Sequence, residues 1–273
     1  MRRQIKVSLI CATLGRVLEV KALIDSLKQQ TLKDFELIIV DQNDHDLIKD
    51  IIDTSNADFD IVYIKNDTAG LSLNRNIGLQ YAKGDILGYP DDDCFYSPDV
   101  LSNVVDILQD ATYGFVAVHT KDSITCTSRR ISQTKQIHKQ DIFKNCISYN
   151  IFVRKNNLTF DESLGVGTYF SSGEEIDYLY EYISKDKRPG YFDVNSTIYH
   201  PDVKKDLNKV YKYSLGYGAL QKKDLFKRGD SEAILRLLYY SLRAIIGIAT
   251  FCRVQEHYLS LKGKIEGFIK FHV

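Results

Sequence analysis

The feature that most constrains this chain is a repeated change of period along its first hundred residues. Short runs rich in β-branched and aromatic residues, VSLICA (7–12), FELIIV (35–40), DIVYI (60–64) and DILGY (85–89), alternate with helix-type spacing at 16–29, 46–54 and 72–82. Near-continuous apolar runs of this length fit strands buried on both faces. Strands separated by helices imply βαβ units and a parallel sheet. SPDVLSNVVDIL (97–108) predicts a further helix, with Ser97 as N-cap and Pro98 at its first position. YGFVAVH (113–119) predicts a fifth strand.

After residue 120 the alternation breaks down. KDSITCTSRRISQTKQIHKQ (121–140) is polar and irregular, CISYNIFVRK (146–155) is strand-like, GEEIDYLYEYISK (173–185) is helical, and YFDVNSTIYHPD (191–202) closes the globular part. Residues 203–273 read as a helical extension. Formal net charge is zero, but residues 1–202 sum to about −8 and residues 203–273 to about +8, so the extension suits an anionic surface. No recognition motif for nucleic acid accompanies that charge. The five cysteines (Cys11, Cys94, Cys126, Cys146, Cys252) are scattered and never form C-x-x-C, which suggests neither a disulfide framework nor a zinc site. With an N-terminal apolar run too short for a signal peptide, a cytoplasmic location is expected.

Ligands of open α/β sheets sit beyond the carboxyl ends of the strands. Thr13, Asp41, Asn66-Asp67 and Asp91-Asp92-Asp93 fall at four such ends. Each alone is an ordinary loop or cap residue; their convergence is the argument. Asp91 and Asp93 can jointly hold a hard divalent cation, which takes oxygen ligands and substrate phosphates. The alternative, a solvated loop leading into the helix near Ser97, accounts for one aspartate better than for three.

VSLICATLGR, FELIIVDQND, GLSLNRNIGLQYAKGDILGYPDDDC and GVGTYFSSGEEIDYL together resemble a family 2 glycosyltransferase with the GT-A fold, in the family's order and spacing over residues 5–202. The resemblance implies a mixed, mainly parallel Rossmann-like sheet with flanking helices. Residues 1–95 would be the nucleotide-binding half and residues 96–202 the acceptor half. It implies an inverting, metal-dependent transfer of a hexose-type sugar from a nucleotide-sugar donor, UDP or dTDP favoured, to a saccharide acceptor. Asp41 would accept the imide N–H of the base and Thr13 would line the base pocket. Asp67 falls at the donor end of its strand, Gly70 would allow close backbone approach, and Asn74 and Arg75 would face nucleotide and diphosphate. Asp92 would reach the ribose or sugar. Asp93, assisted by Asp91 and His200, would ligate Mn2+ or Mg2+, which stabilises a leaving diphosphate. The base is expected from GEEID, where Glu175 stands in place of the family's usual aspartate, with Glu174 and Asp177 as neighbours able to share the task. A capping box from Ser172 to Glu175 is the structural alternative.

Residues 237–252 are mostly apolar but fall short of the ~20 residues of a bilayer span. Arg236 and Arg243, seven apart, lie on one helical face, which suits an amphipathic helix at a membrane surface or one packed on another subunit. The LKGKIEGF ending resembles tails of bacterial family members that act on lipid-linked saccharides of surface polysaccharides. The expected setting is the inner face of the cell membrane. A sugar-phosphate nucleotidyltransferase needs a glycine-rich, Arg-bearing loop after the first strand, which ATLGRVLEV does not supply. No G-x-G-x-x-G follows a strand, and no Walker A loop is present. A non-catalytic nucleotide-sugar-binding or scaffolding subunit is the alternative from another class.

Overall fold

The computed structural model describes residues 4–125, 135–201 and 206–273. Met1-Arg2-Arg3, Cys126, most of the polar excursion and the boundary expected at 202/203 lie outside the described residues. The chain forms two compact units. The first takes residues up to Ala69, Leu73–Phe160 and Tyr178–Asp202; the second takes Gly70–Ser72, Asp161–Asp177 and Val203–Val273. The helical extension thus shares its unit with two segments drawn from the middle of the chain.

The first unit follows the predicted alternation: β1 (Val7–Thr13), α1 (Val17–Leu27), β2 (Phe35–Asp41), α2 (Leu47–Thr54), β3 (Asp60–Lys65), α3 (Leu71–Leu79) and β4 (Ile86–Gly88). There follow β5 (Phe95–Tyr96), α4 (Val100–Gln109), β6 (Phe115–Asp122), β7 (Lys135–Ile137), α5 (Ile142–Asn145), β8 (Ile151–Arg154), α6 (Glu174–Asp186) and β9 (Gly190–His200). The strands form one sheet in the order β3-β2-β1-β4-β8-β6-β9-β5, with β7 on β9. The β3-β2-β1-β4 run is parallel, β8 is antiparallel to both its neighbours, and β6 and β9 are parallel.

Every residue of β1 and β2 is buried, as their apolar runs require. β3, expected to be buried as well, is the sheet's edge and is half-exposed along its middle. One face of α1, Val20, Leu23, Ile24 and Leu27, packs with one face of α4, Leu101, Val104, Val105 and Leu108, into the main core. That i, i+3, i+4, i+7 spacing is the buried stripe of an amphipathic helix. The polar Glu36 of β2 is tolerated inside because Ser8 Oγ (2.6 Å) and Lys83 N (2.7 Å) donate to it.

The start of α4 differs from the prediction. Asp99, not Ser97, precedes the helix, and Ser97 Oγ instead accepts from Thr197 N at 2.9 Å, joining the loop to β9. Pairing across the sheet wins over local capping.

In the second unit α7 (Leu207–Lys227), α8 (Glu232–Ala249) and α9 (Val254–Lys270) follow one another. Asp206 caps α7 by accepting from Lys209 N at 2.7 Å. α7 and α9 meet backbone to backbone: a β-carbon at Gly267 would stand 2.0 Å from the Leu215 carbonyl oxygen, and one at Gly218 would stand 2.1 Å from that of Lys264. No helix among the described residues is long and apolar enough to cross a membrane.

Candidate active site

Three adjacent aspartates repel one another, and the fold offsets that repulsion with cations brought from distant segments. Asp91, Asp92 and Asp93 lie between β4 and β5; Asp92 and Asp93 are buried and Asp91 is partly exposed. Arg16, in the loop after β1, donates to Asp92 Oδ1 at 3.0 Å and also to Asp93 Oδ2. Thr13 Oγ1 donates to Asp92 Oδ2 at 2.8 Å. Arg75, 0% exposed on α3, donates to Asp91 Oδ1 at 2.9 Å, and Ser148 Oγ lies 3.4 Å from the same oxygen. The Arg75 guanidinium lies 5.5 Å from the centroid of Phe160, which stacks on Tyr178; the Tyr178 hydroxyl accepts from Tyr89 OH at 2.8 Å. A buried aromatic floor of Tyr89, Phe160 and Tyr178 therefore underlies Arg75, with Tyr89 two residues ahead of the aspartates.

His200, the last residue of β9, closes the group. Its Nε2 stands 3.1 Å from Asp93 Oδ1 and 3.7 Å from Asp91 Oδ2. Its Nδ1 donates to the Pro201 carbonyl at 2.7 Å, and Tyr149 stacks on the ring at 4.5 Å and 7°. A carbonyl can only accept, so Nδ1 carries the proton and the Nε2 lone pair faces the carboxylates in the neutral ring. One donor atom from each of Asp91, Asp93 and His200 lies within 4.8 Å of the others. Two carboxylates and an oriented imidazole suit a divalent ion such as Mn2+, and the carboxylates alone suit Mg2+. These residues fit the expected ion.

Charge in this cluster is unevenly held. Burial pushes the Asp92 carboxyl up to about 6, against the Thr13 hydrogen bond and the Arg16 charge. Burial pushes Asp93 up too, but His200 and Arg16 outweigh it and hold Asp93 below the usual carboxylate range. Burial pulls His200 down, and the bond to Asp93 with the charges of Asp91 and Asp93 overrides it, so His200 keeps its proton above the ordinary value. Burial, reinforced by the neighbouring aspartates, raises the Cys11 and Cys94 thiols, which stay protonated and inert.

The other predicted residues of this unit serve the strand ends. Asp41 is 0% exposed, and its oxygens accept from Asn43 N (2.9 Å), Asn43 Nδ2 (2.7 Å), Tyr63 OH (2.9 Å) and Lys65 Nζ (3.4 Å). Four donors fill a carboxylate's lone-pair sites, so Asp41 organises the residues around it. Asn74 is likewise buried: it accepts from Asn66 Nδ2 at 2.7 Å and donates to the Thr68 carbonyl at 2.9 Å, tying down the loop after β3. Asp67 is exposed in that loop.

Glu174, Glu175 and Asp177 open α6 and belong to the second unit. Glu174 is buried and Glu175 is half-buried. The neighbouring backbone is shaped by glycine: Gly165 has φ +96°, and a β-carbon there would meet Ser72 Oγ at 2.8 Å and Glu174 Cδ at 3.2 Å. Gly70 has φ 146° just ahead of α3, where Leu71 N donates to the Val166 carbonyl at 2.9 Å. Asp177 is engaged differently, with its oxygens paired to Lys223 Nζ at 2.8 Å and Arg228 Nη2 at 2.6 Å. Gly173 immediately precedes the helix, and Ser172 Oγ donates to the Tyr213 carbonyl at 3.0 Å.

Sequence reasoning overlooked Arg16, Ser148 and Tyr149. Only Arg16 left a signal, a cation three residues past Thr13 in a chain that must offset three aspartates.

The sequence profile of Glycosyl transferase family 2 matches residues 8–170. An uncharacterized glycosyltransferase of Haemophilus influenzae is 28% identical over 179 residues, 63% of this chain and 60% of that protein. The GalNAc(5)-diNAcBac-PP-undecaprenol beta-1,3-glucosyltransferase of Campylobacter jejuni is 32% identical over 117 residues, 41% of this chain and 37% of that protein. The chain thus spans less than two thirds of the length of either relative. Among solved structures, the mannosyltransferase PcManGT from Pyrobaculum calidifontis, in complex with GDP-Man and Mn2+, superposes with a TM-score of 0.65 at 13% identity, over 97% of this chain and 86% of that one. At that identity the likeness is one of fold.

Proposed function

The chain belongs to Glycosyl transferase family 2, and from that membership we propose that it transfers a sugar from a nucleotide-sugar donor to a saccharide acceptor with inversion at the anomeric carbon. The observation that carries the reading is the grouping of Asp91, Asp93 and His200 within 4.8 Å, with the histidine tautomer set by Pro201. When bound there, Mn2+ or Mg2+ supplies Lewis-acid stabilisation of the negative charge that develops on a departing diphosphate.

The chain's own residues divide the remaining work. Residues 1–95 form the nucleotide-binding half and residues 96–202 the acceptor half. Arg16, which bonds Asp92 and Asp93 and is 42% exposed, is a cation that can turn to diphosphate oxygens. Arg75, buried under Asp91, fixes that carboxylate. Asp92 binds a donor hydroxyl. Thr13 and Gly70 shape the approach of the nucleotide, with Asp41 and Asn74 bracing the loops around it. Glu175 is the base that takes the proton of the acceptor hydroxyl, with Glu174 as its partner. Asp177 is set aside from that role because Lys223 and Arg228 already hold its oxygens. The acceptor is a lipid-linked saccharide of a bacterial surface polysaccharide, met at the inner face of the cell membrane. The name of the Campylobacter relative supports this, since it specifies an undecaprenol-linked acceptor.

Calorimetry with nucleoside diphosphates, UDP and GDP among them, with and without Mn2+, tests the donor side. Asp93→Ala is expected to abolish metal-dependent nucleotide binding together with transfer. Glu175→Gln is expected to bind donor normally and lose transfer by at least about a hundredfold, the scale of a general base. Full transfer activity in both variants would refute the assignment. Normal nucleotide binding without turnover in the unaltered protein, under varied metals and acceptors, would favour a binding subunit.

A further inference from the structure

Lys264 lies on α9 and is 8% exposed, and its ammonium donates to Ser260 Oγ at 2.6 Å, which also accepts from Ser214 Oγ. No carboxylate among the described residues pairs with it. The acids of residues 206–273 are committed elsewhere: Asp206 caps α7, Asp224 and Asp230 pair with arginines, Glu232 lies by Arg236, Glu256 by Arg253, and Glu266 by Lys270. Burial, with the charge of Arg243 on α8 as the lesser cause, pulls the Lys264 pKa down. A buried ammonium with no carboxylate beside it is costly, and the cost falls if an anion reaches it.

The outward surface of α8 indicates which anion. Leu235, Leu238, Leu242, Ile245 and Ile246 are each at least half exposed and follow one outward stripe of α8. The stripe ends at Phe251, 89% exposed and held out by a left-handed backbone (φ 55°) in the turn before α9. Arg236 and Arg243 border the stripe along one edge. A contiguous apolar face rimmed with cations, on a unit with net positive charge, matches a surface that is apolar within and anionic at its rim.

We propose that the outward face of α8 docks on an acidic membrane and that Lys264 and Arg243 together seat the phosphate of one anionic phospholipid. The inference deepens the membrane-face reading above and is independent of the transfer chemistry.

The test is co-sedimentation of the full chain with vesicles of phosphatidylcholine alone and of phosphatidylcholine mixed with phosphatidylglycerol, without donor or metal. The unaltered protein partitions onto the mixed vesicles and much less onto the neutral ones. Arg243→Gln, at an exposed position, and Lys264→Met each weaken the mixed-vesicle partition about fivefold. Leu242→Ser combined with Ile246→Ser removes binding to both. Circular dichroism confirms that each variant is folded. Failure of the unaltered chain to bind mixed vesicles, or binding by both cation variants as strong as that of the unaltered chain, overturns the proposal. So does a concentration-dependent dimer lost in the Leu242/Ile246 variant without any vesicle binding, which would make the face an interface between copies. Nucleotide binding, measured separately, reports whether the donor reading stands.

Discussion

His200 is held by three contacts that each fix a different property. The Pro201 carbonyl sets which nitrogen is protonated, Tyr149 sets the plane of the ring, and Asp93 and Asp91 set its charge. The last of these opposes metal binding, because an imidazolium has no lone pair. A raised His200 pKa in the free protein stabilises the fold below the unfolded value of 6.5, and that contribution is lost as pH rises through the folded pKa. A metal must displace that proton. Mn2+ affinity measured by calorimetry is therefore expected to keep climbing as pH rises past 6.5 instead of levelling there. His200→Asn is expected to be weaker throughout, with a flatter profile. At this scale the sequence was only partly legible. The aspartates and His200 are readable as types, but Arg16 is separated from Asp92 and Asp93 by more than seventy positions, and no local pattern announces the pairing. The same holds for Asp177 with Lys223 and Arg228, whose residue types look like ordinary helix-surface charges.

Among the elements, those built from long apolar runs or clear helical periodicity were legible within a residue or two, as β1, β2 and α1 show. Elements defined by partners rather than by their own composition were not. β5 has two residues and exists because Phe95 and Tyr96 pair with Tyr199 and Ile198. β3 reads as a buried strand, yet its place in the order makes it an edge. The α7–α9 contact is another case, since Gly263 and Gly267 look like helix-weakening residues until a second backbone fills the space above them. Gly267→Ala would force the two helices apart where α7's backbone now touches. A loss of about 1–3 kcal/mol is expected, the usual cost of overpacking, read as a lower denaturant midpoint with circular dichroism. Gly229→Ala, with φ +65° and open space around it, tests conformational strain without any clash.

For the whole molecule, acid is the informative stress. Asp186 is held low by Arg188, and Asp161 stays low because Lys223 and Ser163 outweigh its burial; Asp93 behaves in the same way with His200 and Arg16. Depressed carboxyl pKa values contribute stability that is present above the unfolded value of 3.8 and lost as pH falls through the folded ones. Melting temperature is expected to fall steeply below about pH 4. Asp92 has the opposite sign: raised to about 6, its contribution is present below 3.8 and disappears as pH rises through the folded value. Asp92→Asn is therefore expected to melt higher than the unaltered protein at neutral pH and no higher in strong acid, as differential scanning fluorimetry would show. The division of net charge between residues 1–202 and the extension was plain from the sequence. That residues 161–177 join the extension's unit was not, because such membership is a property of long-range packing.

Arg16 has a consequence for the order of events. Its guanidinium already rests on Asp93, one of the two carboxylates that an incoming cation would need, while Arg75 holds the other, Asp91, so a bare ion would meet a site that is already electrically satisfied. On the proposed reading, a diphosphate arriving with the ion would give the guanidinium another anion to grip and leave Asp93 to the ion. Each ligand would then improve the grip on the other by the same factor. Such a protein would be spared from scavenging loose metal, and would respond to the loaded donor rather than to either half of it.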